Sequence, residues 1–147
     1  MTDFHPFVVH FPIALLLAAA GFDLFGVVRH DSQSNKTAYI LQIIGALGAI
    51  PAAFSGNLAE TTVRGQEHLS SAINESLLTH ISWGNAVVWV VVILVIFRTF
   101  ALLEKKEWAS NGWLFPLASL MTATLVVITG FLGGNLSQEI LQYFINR

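Results

Sequence analysis

The sequence has no cysteine, which excludes disulfides, thiolate metal sites and thiol nucleophiles. Charge is scarce as well. Only 11% of residues are Asp, Glu, Lys or Arg, against about 25% in an average soluble domain. Seven Lys and Arg, a formal net charge of −2 and no basic patch argue against nucleic acid as a partner. There is no nucleophile–base pair, no pair of carboxylates and no phosphate-cradling glycine loop, so enzyme chemistry is disfavoured. The amino-terminal stretch offers Asp3 and no Lys or Arg, so it does not read as a cleaved signal peptide.

What remains is mostly apolar. Hydrophobic residues make up 54% of the 147-residue chain, and the mean hydropathy is +0.66. A soluble domain of this size cannot hide so much apolar surface, so lipid is the expected solvent. A bilayer core needs about 20 apolar residues per helix. Four segments meet that length, at about 7–28, 38–55, 81–103 and 113–132, within a single transmembrane domain covering 1–147. The predicted fold is all-α: an integral membrane four-helix bundle, up-down-up-down. Ile73, Leu77 and Ile81 recur at helical spacing between spans two and three, predicting a short interfacial helix that runs into span three.

Arg29, Lys36, Arg98, Lys105 and Lys106 flank the first and third connections, whereas Arg64 and Arg147 lie at the other end. By the positive-inside rule the first and third connections are cytoplasmic. Both termini are then expected outside, in the periplasm if the host membrane is a bacterial inner membrane. Asp23 and Arg98 each sit six residues from a charged residue at a span end, roughly 9 Å inside it. They can pair at equal depth, and intramembrane charges are usually paired or functional. The pair reads as structural glue.

Alternation of direction brings "HPFVVHFP", "AAFSGN", "HISWGN" and "GFLGGN" to one end of the bundle. Gly56 and Gly133 or Gly134 are expected in the left-handed position that closes a helix, with Asn57 and Asn135 after them. Gly84 and Asn85 lie inside span three, where glycine costs about 1 kcal/mol of helix propensity. Close approach of a neighbouring helix or a flat ligand accounts for it. Gly45, Ala49, Ala52 and Gly56 form a small-residue stripe, which predicts a helix-packing face. His30 and His68 read as solvated loop residues. The aromatic cluster of Phe4, Phe7, Phe11, Phe54, Trp83 and Phe131 reads first as an interfacial belt.

His10 and His80 begin parallel spans that lie diagonally across such a bundle. Two imidazoles facing each other suit b-type haem, held axially from both faces. The candidate cofactor-binding residues are therefore His10, His80, Gly84, Gly56, His5 and Asn85, with His10 and His80 as iron ligands. His5 stands five positions before His10, about 140° around a helix, so the two cannot share one face unless Pro6 or Pro12 interrupts it. Zinc fits less well, because a tetrahedral site wants four donors.

"HPFVVHFPIALLLAAAGFDLF", a histidine opening span three and "GFLGGNL" closing span four resemble the bacterial membrane family catalogued as domain of unknown function 2231. The resemblance covers essentially the whole chain and implies a four-helix protein integral to bacterial membranes. Some members are fused to or encoded beside cytochrome c-like domains, which implies electron transfer outside the cytoplasm. The family's histidine and proline positions correspond to His5, Pro6, His10 and Pro12, with His80 on span three. The chain departs from some members in ending on "LSQEILQYFINR" rather than on a more charged segment.

The expected function is a membrane electron-transfer subunit holding b-type haem near the outer face. It would pass electrons between quinol or a redox partner and a cytochrome. The alternatives are a cofactor-free accessory subunit of a respiratory or photosynthetic complex, and a periplasmic-side copper or iron site. The lipid bilayer is the first expected partner, with protein partners in a membrane complex or a cytochrome c-like protein after it.

Overall fold

The computed structural model describes residues 5–64, 70–106 and 112–146, without the side chains of a few helical residues at 6–7, 59–60 and 62–64. Four helices occupy them: α1 (His5–Arg29), α2 (Ser32–Arg64), α3 (Ser71–Leu103) and α4 (Leu114–Ile145). All four are long and apolar enough to cross a membrane, and no strand occurs among the described residues. α1 packs on α2 and α4, and α3 packs on the same two helices. The pairs α1/α3 and α2/α4 are therefore the diagonals of an up-down-up-down bundle.

Three of the helices overrun their hydropathy-defined spans at the end that carries both termini. α2 continues from 55 to Arg64, α3 begins at Ser71 rather than 81, and α4 continues from 132 to Ile145. A helix of 33 residues is about 50 Å long, against a hydrocarbon thickness of about 30 Å. Hydropathy locates the lipid boundary, and polar residues such as Asn57, Asn74 and Gln138 do not stop a helix there. The separate interfacial helix is consequently not seen, because its residues extend α3. Ile73 and Leu77 are buried as their spacing requires, packing with Leu136, Ile140 and Tyr143 of α4.

The opposite end closes tightly. His30 takes a left-handed backbone, φ 53°, and the Asp31 N–H returns to the Gly26 carbonyl at 2.9 Å. Asp31 then caps α2, its carboxylate accepting from the N–H groups of Gln33 at 3.0 Å and Ser34 at 3.2 Å. The Ser34 hydroxyl, which also donates to this carboxylate, and then these backbone contacts hold its carboxyl below the ordinary range. Lys105, also at φ 53°, ends α3. The left-handed closures expected at Gly56 and Gly133 or Gly134 do not occur. Those glycines lie inside α2 and α4, and no described glycine has positive φ.

The small-residue stripe of α2 is a packing face. A Cβ on Gly45 would stand 2.9 Å from Leu16 Cδ2, and one on Gly48 3.4 Å from Pro12 Cβ. α1 and α2 therefore approach closely, as small residues allow in lipid. The central core joins Leu16, Ala46, Ala49, Val87, Val91 and Val126. Large apolar side chains also point outward, including Leu47, Trp89, Ile93, Ile96 and Met121. In water this would drive aggregation; in a bilayer it is the lipid-facing surface.

Below the core lies a polar layer contributed by every helix. Asp23 of α1, Gln42 of α2, Arg98 of α3 and Ser119 of α4 are all buried. Arg98 meets the Asp23 carboxylate through two bonds of 2.8 Å, the pairing expected from their matched depth. Gln42 and Ser119 also donate to Asp23. The Arg98 guanidinium lies 4.9 Å from the centre of the Phe115 ring. Each bond here replaces one that lipid cannot supply.

Candidate functional site

The end of the bundle that carries the termini encloses a cavity of about 600 Å³, within the range of about 300–1,000 Å³ typical of ligand pockets. All six candidate residues line it: His5, His10, Gly56, His80, Gly84 and Asn85. Its walls are otherwise mainly apolar, with Leu16, Val87 and Val126 among them. The described lining includes no Lys, Arg, Asp or Glu.

The three histidines are not equivalent. α1 runs uninterrupted through Pro12, so His5 and His10 diverge with the helical pitch. His5 turns inward and is half-buried, whereas His10 is exposed at the cavity's edge. His80 is half-buried on α3. The two inward imidazoles thus come from diagonal helices, and the inward partner of His80 is His5. Burial holds the His5 imidazole below its ordinary range, and His80 across the bundle lowers it further.

Each inward ring is set against a glycine of the neighbouring even-numbered helix. A Cβ on Gly56 would come 3.1 Å from His5 Cε1, and one on Gly133 would come 2.8 Å from His80 Cε1. Histidine followed by glycine across a helical hairpin therefore occurs twice, once in α1–α2 and once in α3–α4. These glycines leave the room in which imidazoles lie. Gly84 differs: a Cβ there would meet only Thr129 Cγ2, at 3.9 Å. No neighbouring helix crowds it, so close helix approach does not account for this glycine.

The ring nitrogens also differ. His5 Nδ1 lies 2.8 Å from Ser55 Oγ, while His80 Nδ1 is buried without a hydrogen-bond partner among the described residues. An unmatched buried polar atom costs about 1–3 kcal/mol. Ser55 escaped sequence reasoning because it looked like the end of a span. Its one signal was adjacency to Gly56 in "AAFSGN".

Most of the remaining candidates do not line the cavity. Phe11, Phe54 and Phe131 are exposed, and no Phe, Trp or Tyr lines the cavity among the described residues. Asn57 lines it and Asn135 does not. His30 is exposed in its turn; His68 and Phe4 lie outside the described residues, as does the Phe7 side chain. No group of three or more His, Asp or Glu side chains gathers around a metal-sized space among the described residues.

Residues 2–141 match the family of predicted membrane proteins designated DUF2231. The chain belongs to this family. No curated protein and no solved structure matches it. For a DUF2231 protein the family description and the four apolar helices agree on residence in a membrane. The cavity with its two inward imidazoles is a property of this bundle's own geometry.

Proposed function

We propose that this DUF2231 bundle is a membrane electron-transfer subunit that holds b-type haem in its cavity, between His5 of α1 and His80 of α3. The observation that carries this reading is the pair of half-buried imidazoles on diagonal helices, lining one apolar space of about 600 Å³. His5 replaces His10 in the pair because His5 is half-buried, whereas His10 is exposed at the cavity's edge.

The residues fit the group in three respects. His80 Nδ1 is buried without a hydrogen-bond partner among the described residues, and in the tautomer that leaves it unprotonated it is an electron-pair donor. Gly84 leaves open space on the α3 wall, as a flat macrocycle requires. Asn57, Asn85 and Ser137 line the same cavity and offer neutral hydrogen-bonding groups to carboxylates. When bound, haem supplies one-electron exchange at its iron. The protein's part is to present imidazoles from two diagonal helices and to wall the site mainly with aliphatic side chains.

The cation distribution, with Arg29, Lys36, Arg98, Lys105 and Lys106 toward one end, supports a cytoplasmic position for the tight turns. The cavity then faces outward, toward the periplasm of a bacterial inner membrane. Electrons pass between quinol or a redox partner and a cytochrome c-like protein on that side.

The test is an optical spectrum of the purified full chain with a pyridine haemochrome assay. A Soret band is expected that disappears in His5→Ala and His80→Ala and persists in His10→Ala. Absence of the band from protein supplied with haem overturns the proposal. The cofactor-free accessory reading predicts unchanged spectra but lost partner binding. It draws on Leu141, Phe144 and Ile145, which remain exposed where α4 overruns its span. A copper or iron site predicts bound metal without porphyrin.

A further inference from the structure

We infer that Ser55 fixes the tautomer of His5, placing the ring proton on Nδ1 and leaving the Nε2 lone pair as the donor the protein offers to the cavity's occupant. The assignment follows from counting protons on one hydroxyl. Ser55 Oγ lies 2.8 Å from the Ala52 carbonyl oxygen and 2.8 Å from His5 Nδ1. A carbonyl oxygen can only accept, so the single hydroxyl proton is committed to Ala52. This is the back-bond that serine makes inside helices. The oxygen then has only lone pairs to offer His5. A bare Nδ1 at this distance would set lone pair against lone pair, whereas Nδ1–H completes a good bond. His5 is therefore the Nδ1–H tautomer when neutral, and Nε2 is unprotonated.

Free imidazole side chains favour the opposite tautomer, so Ser55 reverses an intrinsic preference. Two neighbours keep the reversal in register. Gly56 admits the ring edge, and α2 carries Ser55 and Gly56 as successive residues, so one turn of helix both seats and orients the imidazole. An imidazole that donates its second N–H to an oxygen is also a stronger electron-pair donor at the other nitrogen. The occupant facing His5 is thus an electron-pair acceptor or a hydrogen-bond donor. A ligand presenting only a carbonyl oxygen there, such as the oxidised form of a quinone, is disfavoured. This deepens the haem reading and rests on it for the identity of the acceptor, but the tautomer itself does not depend on haem. Ser55 acts through His5 and is a positioning residue.

The experiment uses the full chain in lipid nanodiscs, labelled with ¹⁵N-histidine, free of haem and above the pH at which imidazoles charge. Two-bond ¹H–¹⁵N correlations report which ring nitrogen bears the proton, and the His5 signals are identified by their loss in His5→Gln. The expected result is a protonated Nδ1 and a bare Nε2 in the wild type. Ser55→Thr keeps that pattern, and Ser55→Ala shifts His5 toward the Nε2–H form. A wild-type His5 protonated on Nε2 overturns the inference, as does a tautomer unchanged in a folded Ser55→Ala protein. If Ser55→Ala does not fold, the wild-type and Ser55→Thr spectra decide alone. Adding haem separates the two readings. Nδ1–H without a Soret band removes the haem proposal and leaves Ser55's role standing, whereas a Soret band with an Nε2–H tautomer in the free protein does the reverse. Where haem binds, Ser55→Ala is expected to raise its midpoint potential, and Ser55→Thr to restore it.

Discussion

Replacing Asp23 by leucine tests what holds the four helices in register. Asp23 accepts four bonds, two from Arg98 at 2.8 Å and one each from Gln42 and Ser119. Neutral interhelical bonds in membranes average about 0.6 kcal/mol, so four such bonds account for about 2 kcal/mol. The charge adds to this. Without the carboxylate, Arg98 keeps bonds to the Gln42 side chain at 2.9 Å and the Asn35 carbonyl at 3.0 Å, but no anion neutralises it. Breaking a buried ion pair by removing one partner costs about 3–5 kcal/mol, and that range is expected for Asp23→Leu. Arg98→Met is expected to cost a similar amount. The double variant leaves no uncompensated charge, and Gln42 and Ser119 still bond each other. It should therefore lose less than either single variant. Denaturant unfolding of the reconstituted chain, arranged as a double-mutant cycle, measures all three. The reasoning fails if Asp23→Leu costs under about 1 kcal/mol or if the two single effects simply add.

Other outcomes follow from the same geometry. Gly133→Ala places a Cβ 2.8 Å from His80, and Gly56→Ala places one 3.1 Å from His5; haem uptake, read as haem per protein, should fall more in the first than in the second. Gly21→Ala, with nothing within 4 Å of the new Cβ, should leave uptake alone and gain up to about 1 kcal/mol of helix propensity. Gly26→Ala drives a Cβ into the Asn35 side-chain oxygen and to within 3.1 Å of the Asn35 backbone nitrogen and should destabilise the α1–α2 turn by about 1–3 kcal/mol, seen as a lower unfolding midpoint. In the haem-free protein, burial and His80 hold His5 below its ordinary value. The unfolded chain binds a proton that the folded one resists, so stability should fall as pH drops through about 6.5 and stay flat above it. His5→Gln should weaken that dependence in unfolding measured across pH.

Much of the bundle was legible in the chain order of its residues. Apolar runs of membrane length mark four spans because every backbone group in lipid must be bonded within its own helix. The depth match of Asp23 and Arg98, the stripe from Gly45 to Gly56 and the inward face of Ile73 and Leu77 follow from helical periodicity alone. The six candidate residues lie around one cavity because alternation of direction brings their span ends to the same side. Helix ends were less legible. Hydropathy falls where lipid stops, and Gly56 and Gly133 resemble caps, yet α2 and α4 continue through both.

Sequence by itself determined the solvent, the number of spans and which ends meet, since these depend on local hydropathy and on the direction of a chain that must reverse at each turn. Only the tertiary structure decided which imidazole faces inward. His5 and His10 differ by a rotation about α1, and the sense of that rotation is set by how Leu16 and Pro12 settle against Gly45 and Gly48 of α2. The same packing brings Ser55 to His5 Nδ1 from 50 residues away and places His80 on Gly133. Such contacts join separate helices, and no periodicity within one helix encodes them.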